Sequence, residues 1–536
     1  MQIIIPMSGY GERFRKKGFK LPKPLINVDG KPMIAHIINL FPNEKNFIFI
    51  CNEEHLNNKQ YNMQNTLMKY CPTGKIFPIK AHKLGPVHAV MKIKNKLDLN
   101  QEVIVNYCDF SCYWDWIEFK KFIYSERCVG AIPAYRGFHP HSLGHTNYAY
   151  IKEEKGILKD IKEKSPFTKN RMNEYASSGT YYFKTIDLMY KSFSYLIKNN
   201  HNVNGEFYVS LAYKYLYLNG MKTSIFKINH FMQWGTPEDL KEYLRWSEAF
   251  NSTLETSHHN QSNLFQGTTI MLMAGLGKRF ADAGYKTLKP FIKISNKPMV
   301  IQAMRGLPKS KTNVFIVKLK SKELQEFNNI IKKYYDKNIV FNLKTLTQGQ
   351  ASTANKAIQN LKKCDIKINE PLIFAACDVG VKYNLIKYNA LIMDKKIDII
   401  VWGIRGHAKA IRNPEMFGWI KEEKNIIKSV SVKKPTNFPN KDPIIIGLFT
   451  FKKVKYFQDS YDKLLNRKSK VNNEFYLDSC INDAIKIGLR CYFFEIDNFF
   501  PWGTPDELKT FKYWQSCFHK WKFHNYDMKK DQFFKY

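Results

Sequence analysis

A set of landmarks is written twice, in the same order, along this 536-residue chain, and that duplication limits the fold more than any other feature. The stretch MSGYGERFRKKGFKLPKPL, residues 7–25, returns as MAGLGKRFADAGYKTLKPF, residues 273–291. Gly9 and Lys23 match Gly275 and Lys289 at an offset of 266. YCDF around Asp109 matches ACDV around Asp378 at 269, and YIKEE from Tyr150 keeps that offset with WIKEE from Trp419. NGEFYVS around Glu206 and NNEFYLD around Glu474 stand 268 apart, as do WGTPEDL from Trp234 and WGTPDEL from Trp502. A drift of three residues across whole copies excludes a short-period solenoid and implies two homologous domains, which the length alone also favours. They are expected at 1–250 and 267–525, with a polar linker over 251–266 and a C-terminal tail over 526–536. The linker's centre, NSTLETSHHNQSN, can bury little surface.

Each copy opens with a short apolar strand, IIIPM or TIMLM, that runs into a glycine loop. An apolar helical pattern follows (MIAHIINLF, MVIQAMRGL), then a second apolar strand (NFIFIC, NVFIV). A third buried run, EVIVNYCD or PLIFAACD, ends at an aspartate. Strands alternating with helices predict an α/β domain around a mainly parallel sheet. In such sheets ligands bind beyond the carboxyl ends of the strands, where both the glycine loop and the aspartate fall.

Two glycines in each loop, Gly9 and Gly11 or Gly275 and Gly277, let the backbone turn sharply and bring its N–H groups close to an anion. The loop is neither a Walker loop nor a dinucleotide fingerprint, lacking the G-K-[ST] of one and the third glycine of the other. It is followed by Arg13 and, ten residues on, Lys23; Arg279 and Lys289 keep the same spacing. Arginine clamps phosphate oxygens bidentately and lysine supplies a compact charge. Lys16 and Lys17 align with Asp282 and Ala283 and read as surface charge. An aspartate that ends a buried strand can cap the next element or hold a cation, and Asp109 recurs as Asp378. In WGTPEDL, Thr236 as N-cap and Pro237 at the first helical position predict a helix start. His139, His141 and His145 align with Ala408, Ala410 and Pro414, so any role is private to the first copy; a substrate-facing loop is favoured over zinc.

The formal net charge of +37 is mostly Lys scattered without a long basic block, which fits solvated faces and a general attraction for anionic substrates rather than nucleic acid. With 44% hydrophobic and 15% aromatic residues the chain is not disordered. Ten cysteines without a C-x-x-C pair suggest reduced thiols and a cytoplasmic location. MQIIIPM is too short for a signal peptide, and no run reaches the length of a membrane span.

The pattern G-x-G-x-R-F followed by P-K-P-L resembles the signature of the sugar-1-phosphate nucleotidylyltransferases, the superfamily that makes nucleotide-sugars on a GT-A-like fold. The resemblance covers nearly all of both copies. It implies that Arg13 and Arg279 hold the β- and γ-phosphates of an NTP, and Lys23 and Lys289 the α-phosphate, over the glycine loops. It further implies base contacts at Gly85 and Pro86 and at Gln348 and Gly349, and Mg²⁺ on Asp109 and Asp378. Lys164 and Lys434 then face the acceptor phosphate, with Gly179, Glu206, Gly447 and Glu474 in the acceptor site. The attacking phosphate is already anionic, so positioning and charge neutralisation suffice and no protein base is needed. Members of the group usually carry a second metal-binding aspartate two residues before the glycine of WGTP. Here Gln233 and Pro501 stand there, with Asp497 nearby, so either one aspartate and the NTP phosphates hold the ion or the alignment slips locally.

The function this implies is NMP transfer from an NTP to a sugar phosphate or similar acceptor, with release of pyrophosphate, for capsule or lipopolysaccharide precursors. The second copy has Leu288 where the first has Pro22 but keeps both cations and the aspartate. One catalytic copy beside a regulatory or scaffold copy is an alternative. A GT-A glycosyltransferase is another, although no D-x-D stands at CDFSC or CDVGV. A nucleotide-sugar sensor is a third, which loss of the lysines would have favoured. The expected partners are an NTP and a small phosphorylated acceptor, and assembly into a homo-oligomer stays open. The base and the acceptor depend on the shape of the pocket.

Overall fold

The structure, a computed structural model, describes residues 1–255, 264–335, 337–361 and 369–531. The centre of the expected linker, 256–263, and the end of the tail, 532–536, lie outside the described residues. The chain forms two compact units, one of Met1–Phe250 with Tyr513–Asn525, the other of Asn251–Lys512 with the described residues from Tyr526. Tyr513–Asn525 belongs with the first unit because its rings pack there: Trp514, Phe518 and Trp521 surround Tyr243, with ring centroids 5.7 to 6.3 Å apart.

In the first unit the strand order is Lys75–Ile79, Phe47–Asn52, Gln2–Met7, Val103–Asn106, Thr180–Phe183, Gly130–Tyr135, Thr223–Lys227, Ile157–Glu163, Ala149–Glu154 and Tyr175–Ser177. The second unit repeats this order from Asn338–Asn342 through Ser310–Val317, Phe265–Met273 and Leu372–Ala376 to Gly418–Glu423. Among the described residues its main sheet has nine strands rather than ten, because Pro443–Phe451 is continuous where the first copy breaks between Tyr175–Ser177 and Thr180–Phe183. The duplication read from the sequence is thus a duplication of topology.

Parallel pairing joins the first four strands of each sheet, and also Gly130–Tyr135 to Thr223–Lys227 and Ile399–Arg405 to Cys491–Glu495. The other pairings are antiparallel, so each sheet is mixed, with its parallel part around the glycine loop. The inner parallel strands Gln2–Met7, Phe47–Asn52 and Val103–Asn106 are almost wholly buried because both faces are covered, whereas the edge strand Lys75–Ile79 is partly exposed. Ile3, Ile5 and Phe49 join one core cluster, and Ile4, Ile48 and Ile50 the other, following the period-two alternation of a strand. Each such fully buried side chain stabilises the fold by about 1.5–3 kcal/mol.

The strand Gln2–Met7 lies between Phe47–Asn52 on one side and Val103–Asn106 on the other, so the connections leave in opposite directions at its end. That divergence opens a crevice at the carboxyl ends of the strands. Both WGTP segments start helices, Pro237–Glu255 and Pro505–Lys520, and Thr236 and Thr504 accept from the N–H of Asp239 and Glu507. Among the described residues no helix is long and apolar enough to cross a membrane. The nine described cysteines are buried free thiols.

Candidate active site

The glycine loops open a cleft in each copy, of about 480 Å³ in the first and about 670 Å³ in the second. Gly11 and Gly277 precede short helices with φ of 64° and 62°, a left-handed conformation that favours glycine. A Cβ at Gly9 or Gly275 would meet nothing within 4 Å, so the loop leaves open space there. Arg13 and Arg279 are exposed and line the two clefts.

Lys23 and Lys289 each begin a single tight turn, Lys23–Leu25 and Lys289–Phe291. Pro22 sits at φ −54° and ψ 143°, and Leu288 at φ −55° and ψ 140°. The leucine therefore keeps the proline's backbone, and the sequence departure leaves the lysine where it was. Lys23 Nζ donates to Asp109 Oδ2 at 2.5 Å and to the Gly235 carbonyl at 3.1 Å. Lys289 repeats the bond to Asp378 Oδ2 at 2.5 Å. Burial alone would raise the Asp378 carboxyl, but the charge and hydrogen bond of Lys289 outweigh it and hold its pKa below the ordinary value.

WGTP also closes on this aspartate: the N–H groups of Trp234 and Trp502 donate to the Asp109 and Asp378 carbonyls, at 3.0 and 2.8 Å. Gln233 pairs with Phe110 and Pro501 with Val379, the residues just after the two aspartates. The two copies keep the same register here, with an amide in one and a proline in the other, two residues before the glycine. A Cβ at Gly235 would lie 2.6 Å from Gln233 Nε2 and 3.2 Å from Asp109 Oδ2, so amide and carboxylate flank that glycine. The N–H of Asp497 donates to the Lys382 carbonyl, at the other end of the strand pair from Asp378. Among the described residues no group of three or more His, Cys, Asp or Glu is arranged to hold a metal ion.

A second polar group shares each cleft. Lys164 Nζ donates to Tyr208 Oη at 2.5 Å, Tyr208 Oη donates to Glu206, and Lys164 Nζ lies 4.0 Å from Glu206 Oε2. In the second copy Lys433 lies over the Tyr476 ring at 5.6 Å, and Tyr476 bonds Glu474. Lys164 and Lys433 share a left-handed backbone, φ 58° and 54°, and donate their N–H to the matched carbonyls of Tyr148 and Phe417. Gly179 and Gly447 line the same clefts. The residues before Gly85 and Gly349 tie these loops to the segments that carry the two glutamates: the Leu84 and Gln348 carbonyls accept from the N–H of Phe207 and Phe475. A Cβ at Gly85 would come within 2.8 Å of the Phe207 backbone, and one at Gly349 within 2.6 Å of that of Phe475.

Each cleft also holds a carboxyl that the sequence reading passed over. Glu163 lines the first and accepts from Ser210 Oγ at 2.6 Å; burial pushes its pKa up to about 7. Asp478 lines the second, and burial pushes it up to about 6. The two do not occupy matched positions.

Gly9, Gly11, Arg13, Lys23, Gly85, Pro86, Asp109, Lys164, Gly179 and Glu206 all line the first cleft. Gly275, Gly277, Arg279, Lys289, Gly349, Asp378, Gly447 and Glu474 line the second. Lys434 and Gln348 do not: both are exposed outside it, and their neighbours Lys433 and Gln350 line it instead. The 269 offset of Tyr150 and Trp419 carries Lys164 to Lys433, the signal that could have found it. Tyr208 and Tyr476 were visible in the repeated EFY but had no role assigned.

The histidines do not form a substrate-facing loop. His139 and His141 are buried, His141 Nε2 lies 2.8 Å from Tyr135 Oη, and His139 packs on Tyr135 and Tyr513. Burial lowers His139 to about 4, so it is a neutral ring of the core. His145 is exposed outside the cleft, and Asn147 is where this segment reaches it.

A mixed α/β domain that gathers a glycine turn, two cations and a carboxylate at its strand ends defines a class that handles phosphates of nucleotides. The chain belongs to the nucleotidyl transferase family, whose description matches residues 2–227 and again 268–496, and it is a nucleotidyltransferase with that family's Rossmann-like fold. It is similar to the nucleoside-diphosphate-sugar pyrophosphorylase from Vibrio cholerae RC9, at 18% identity and a TM-score of 0.38, over 45% of this chain and 98% of that one. It is similar also to the inositol-1-phosphate CTP transferase from T. maritima, at 14% identity and a TM-score of 0.37, over 47% of this chain and 96% of that one. An apo UDP-glucose pyrophosphorylase matches at 14% identity and a TM-score of 0.36, over 47% and 98%. No curated protein matches the chain.

Proposed function

We propose that each copy transfers NMP from an NTP to the phosphate of a sugar phosphate or a similar small acceptor and releases pyrophosphate. The observation that carries this reading is the pairing, in both clefts, of a lysine–aspartate bond under a glycine loop with a separate lysine–tyrosine–glutamate group. An acceptor phosphate oxygen attacks the α-phosphorus, forming one P–O bond as the bond to the β-phosphate oxygen breaks, and pyrophosphate leaves with that electron pair. No proton need move, so the chain's task is to hold two anions together and neutralise the charge that gathers between them.

Arg13 and Arg279 would bind the β- and γ-phosphates, and Lys23 and Lys289 the α-phosphate. Lys164 and Lys433 would bind the acceptor phosphate, with Glu206 and Glu474 turned to its alcohol or sugar part. Asp109 and Asp378 each offer one carboxylate, which suits a Mg²⁺ ion otherwise held by NTP phosphates and water. Such an ion supplies charge neutralisation on the phosphoryl oxygens. The matched 2.5 Å lysine–aspartate bonds favour two working copies over one working and one regulatory copy. The product would be an activated sugar or sugar-like phosphate for capsule or lipopolysaccharide assembly, made in the cytoplasm.

The full chain, incubated with Mg²⁺, each NTP and a panel of sugar phosphates, should release pyrophosphate. Release that persists unchanged when Lys23 and Lys289 are both replaced by Ala would overturn the assignment.

A further inference from the structure

One acceptor-side contact is built in opposite senses in the two copies. In the first, Glu163 reaches from the strand Ile157–Glu163 and Ser210 meets it at 2.6 Å. The matched residues of the second copy are Val432, ending the strand Ile426–Val432, and Asp478, in the helix Leu477–Lys486. The carboxyl has crossed the contact from strand to helix. A third position changes with it: Ala149 is matched by Gly418, where a Cβ would overlap Asp478 Oδ2. Three linked changes keep one carboxyl on each acceptor wall and move its origin. Packing alone would need no carboxyl there, since an apolar pair fills such a contact at lower desolvation cost.

The surrounding wall changes character as well. Tyr107, Asn147 and Ser177 line the first cleft where Ala376, Met416 and Ile445 line the second. Ser178, also lining the first cleft, is 3% exposed, and its hydroxyl has no hydrogen-bond partner among the described residues; its counterpart is Ile446. A buried hydroxyl left over beside a cleft is satisfied by a ligand's polar group.

On the reading that both copies transfer NMP to a phosphorylated acceptor, we propose that the two clefts take acceptors of different chemistry. The first selects a hydroxyl-rich sugar phosphate, read by Glu163 and its polar neighbours. The second selects a phosphate ester with an apolar edge and a hydrogen-bond donor directed at Asp478. A site built to hydrogen-bond hydroxyls rejects an analogue that lacks them, and an apolar wall disfavours the hydroxyls it would strip of water.

Two single-copy enzymes test this. Lys289→Ala leaves the first cleft working and Lys23→Ala the second, each assayed by pyrophosphate release with hexose 1-phosphates and their singly deoxygenated forms. The Lys289→Ala enzyme should prefer a fully hydroxylated hexose 1-phosphate, and the Lys23→Ala enzyme should use that acceptor about tenfold less well or worse. Adding Val432→Glu with Asp478→Ser to the Lys23→Ala enzyme should raise its kcat/KM for that acceptor by about tenfold. The reciprocal Glu163→Val with Ser210→Asp in the Lys289→Ala enzyme should lower it by a similar factor, and decides the matter if the first exchange does not fold. Equal use of one acceptor by both single-copy enzymes overturns the proposal while leaving nucleotidyl transfer intact. So does a folded exchange variant, with NTP affinity unmoved, that shifts no preference. No pyrophosphate from either enzyme with any NTP and acceptor instead removes the nucleotidyl-transfer reading, and this proposal with it.

Discussion

Lys289 and Asp378 stand 2.5 Å apart, Nζ to Oδ2, each about one-fifth exposed, 89 residues apart in the chain. The bond ties the turn after the glycine loop to the end of a central strand, and Lys23 makes it again with Asp109. On the proposed reading, the lysine would turn to a phosphate and the aspartate to a metal ion when nucleotide binds. Lys23→Ala and Lys289→Ala should each silence one copy, and the double variant should lower pyrophosphate release about 10²–10³-fold. Steady-state rates of the three variants check this.

The same bond has a pH signature. The Asp378 carboxyl lies below its ordinary value of 3.8 in the folded chain. Its contribution to stability is therefore complete above that value and lost as pH falls through the lowered folded one. Lys289→Met should reduce the loss of stability between neutral and acid pH, measured as the shift of the urea midpoint.

Glu163 runs in the other direction. Burial raises it from 4.5 to about 7, against the pull of the Ser210 hydrogen bond and the Lys164 charge and with the help of Glu206. The folded state holds a proton that the unfolded chain has released across that window, so its contribution to stability falls as pH rises through it. The acceptor KM of the Lys289→Ala enzyme should change around pH 7, where this carboxyl turns from donor to acceptor, and Glu163→Gln should flatten the profile.

Lys433 and Lys434 are neighbours with different surroundings, one over Tyr476 in the cleft and one exposed outside it. In the Lys23→Ala enzyme, Lys433→Ala should raise the acceptor KM about tenfold or more, as losing a charged hydrogen bond does, and Lys434→Ala should leave it unchanged. Tyr208→Phe should raise the acceptor KM of the first copy with its NTP KM unmoved.

The glycines separate a role in folding from one in binding. Gly85→Ala forces a side chain into a left-handed backbone, φ 86°, and against Phe207, and should cost about 1–3 kcal/mol of stability by thermal or urea unfolding. Gly9→Ala meets nothing in the fold and should leave stability alone while weakening NTP binding, measured by calorimetry.

What the sequence made legible is what it repeated. The glycine turns, Lys23 and Lys289, and the strand-end aspartates recur with little drift, and the structure brings them together in each cleft. Lys434 and Gln348 went astray by one or two residues where the offset shifts between landmarks. Glu163 and Asp478 could not be found by comparing copies, because they are matched by Val432 and Ser210 and look unshared. The histidines misled for a different reason: His139 packs on Tyr513, hundreds of residues away, and the hydroxyl of Tyr513 also receives the N–H of Phe231. No local pattern carries a contact of that range.

Two clefts on a single polypeptide are always synthesised in equal number. On the reading that each makes its own product, the cell could not alter the balance by making more of one enzyme than the other. On that reading the ratio would be set at the clefts themselves, by turnover, by affinity and by the supply of each acceptor, and a substitution in one acceptor wall would change the output of the whole chain.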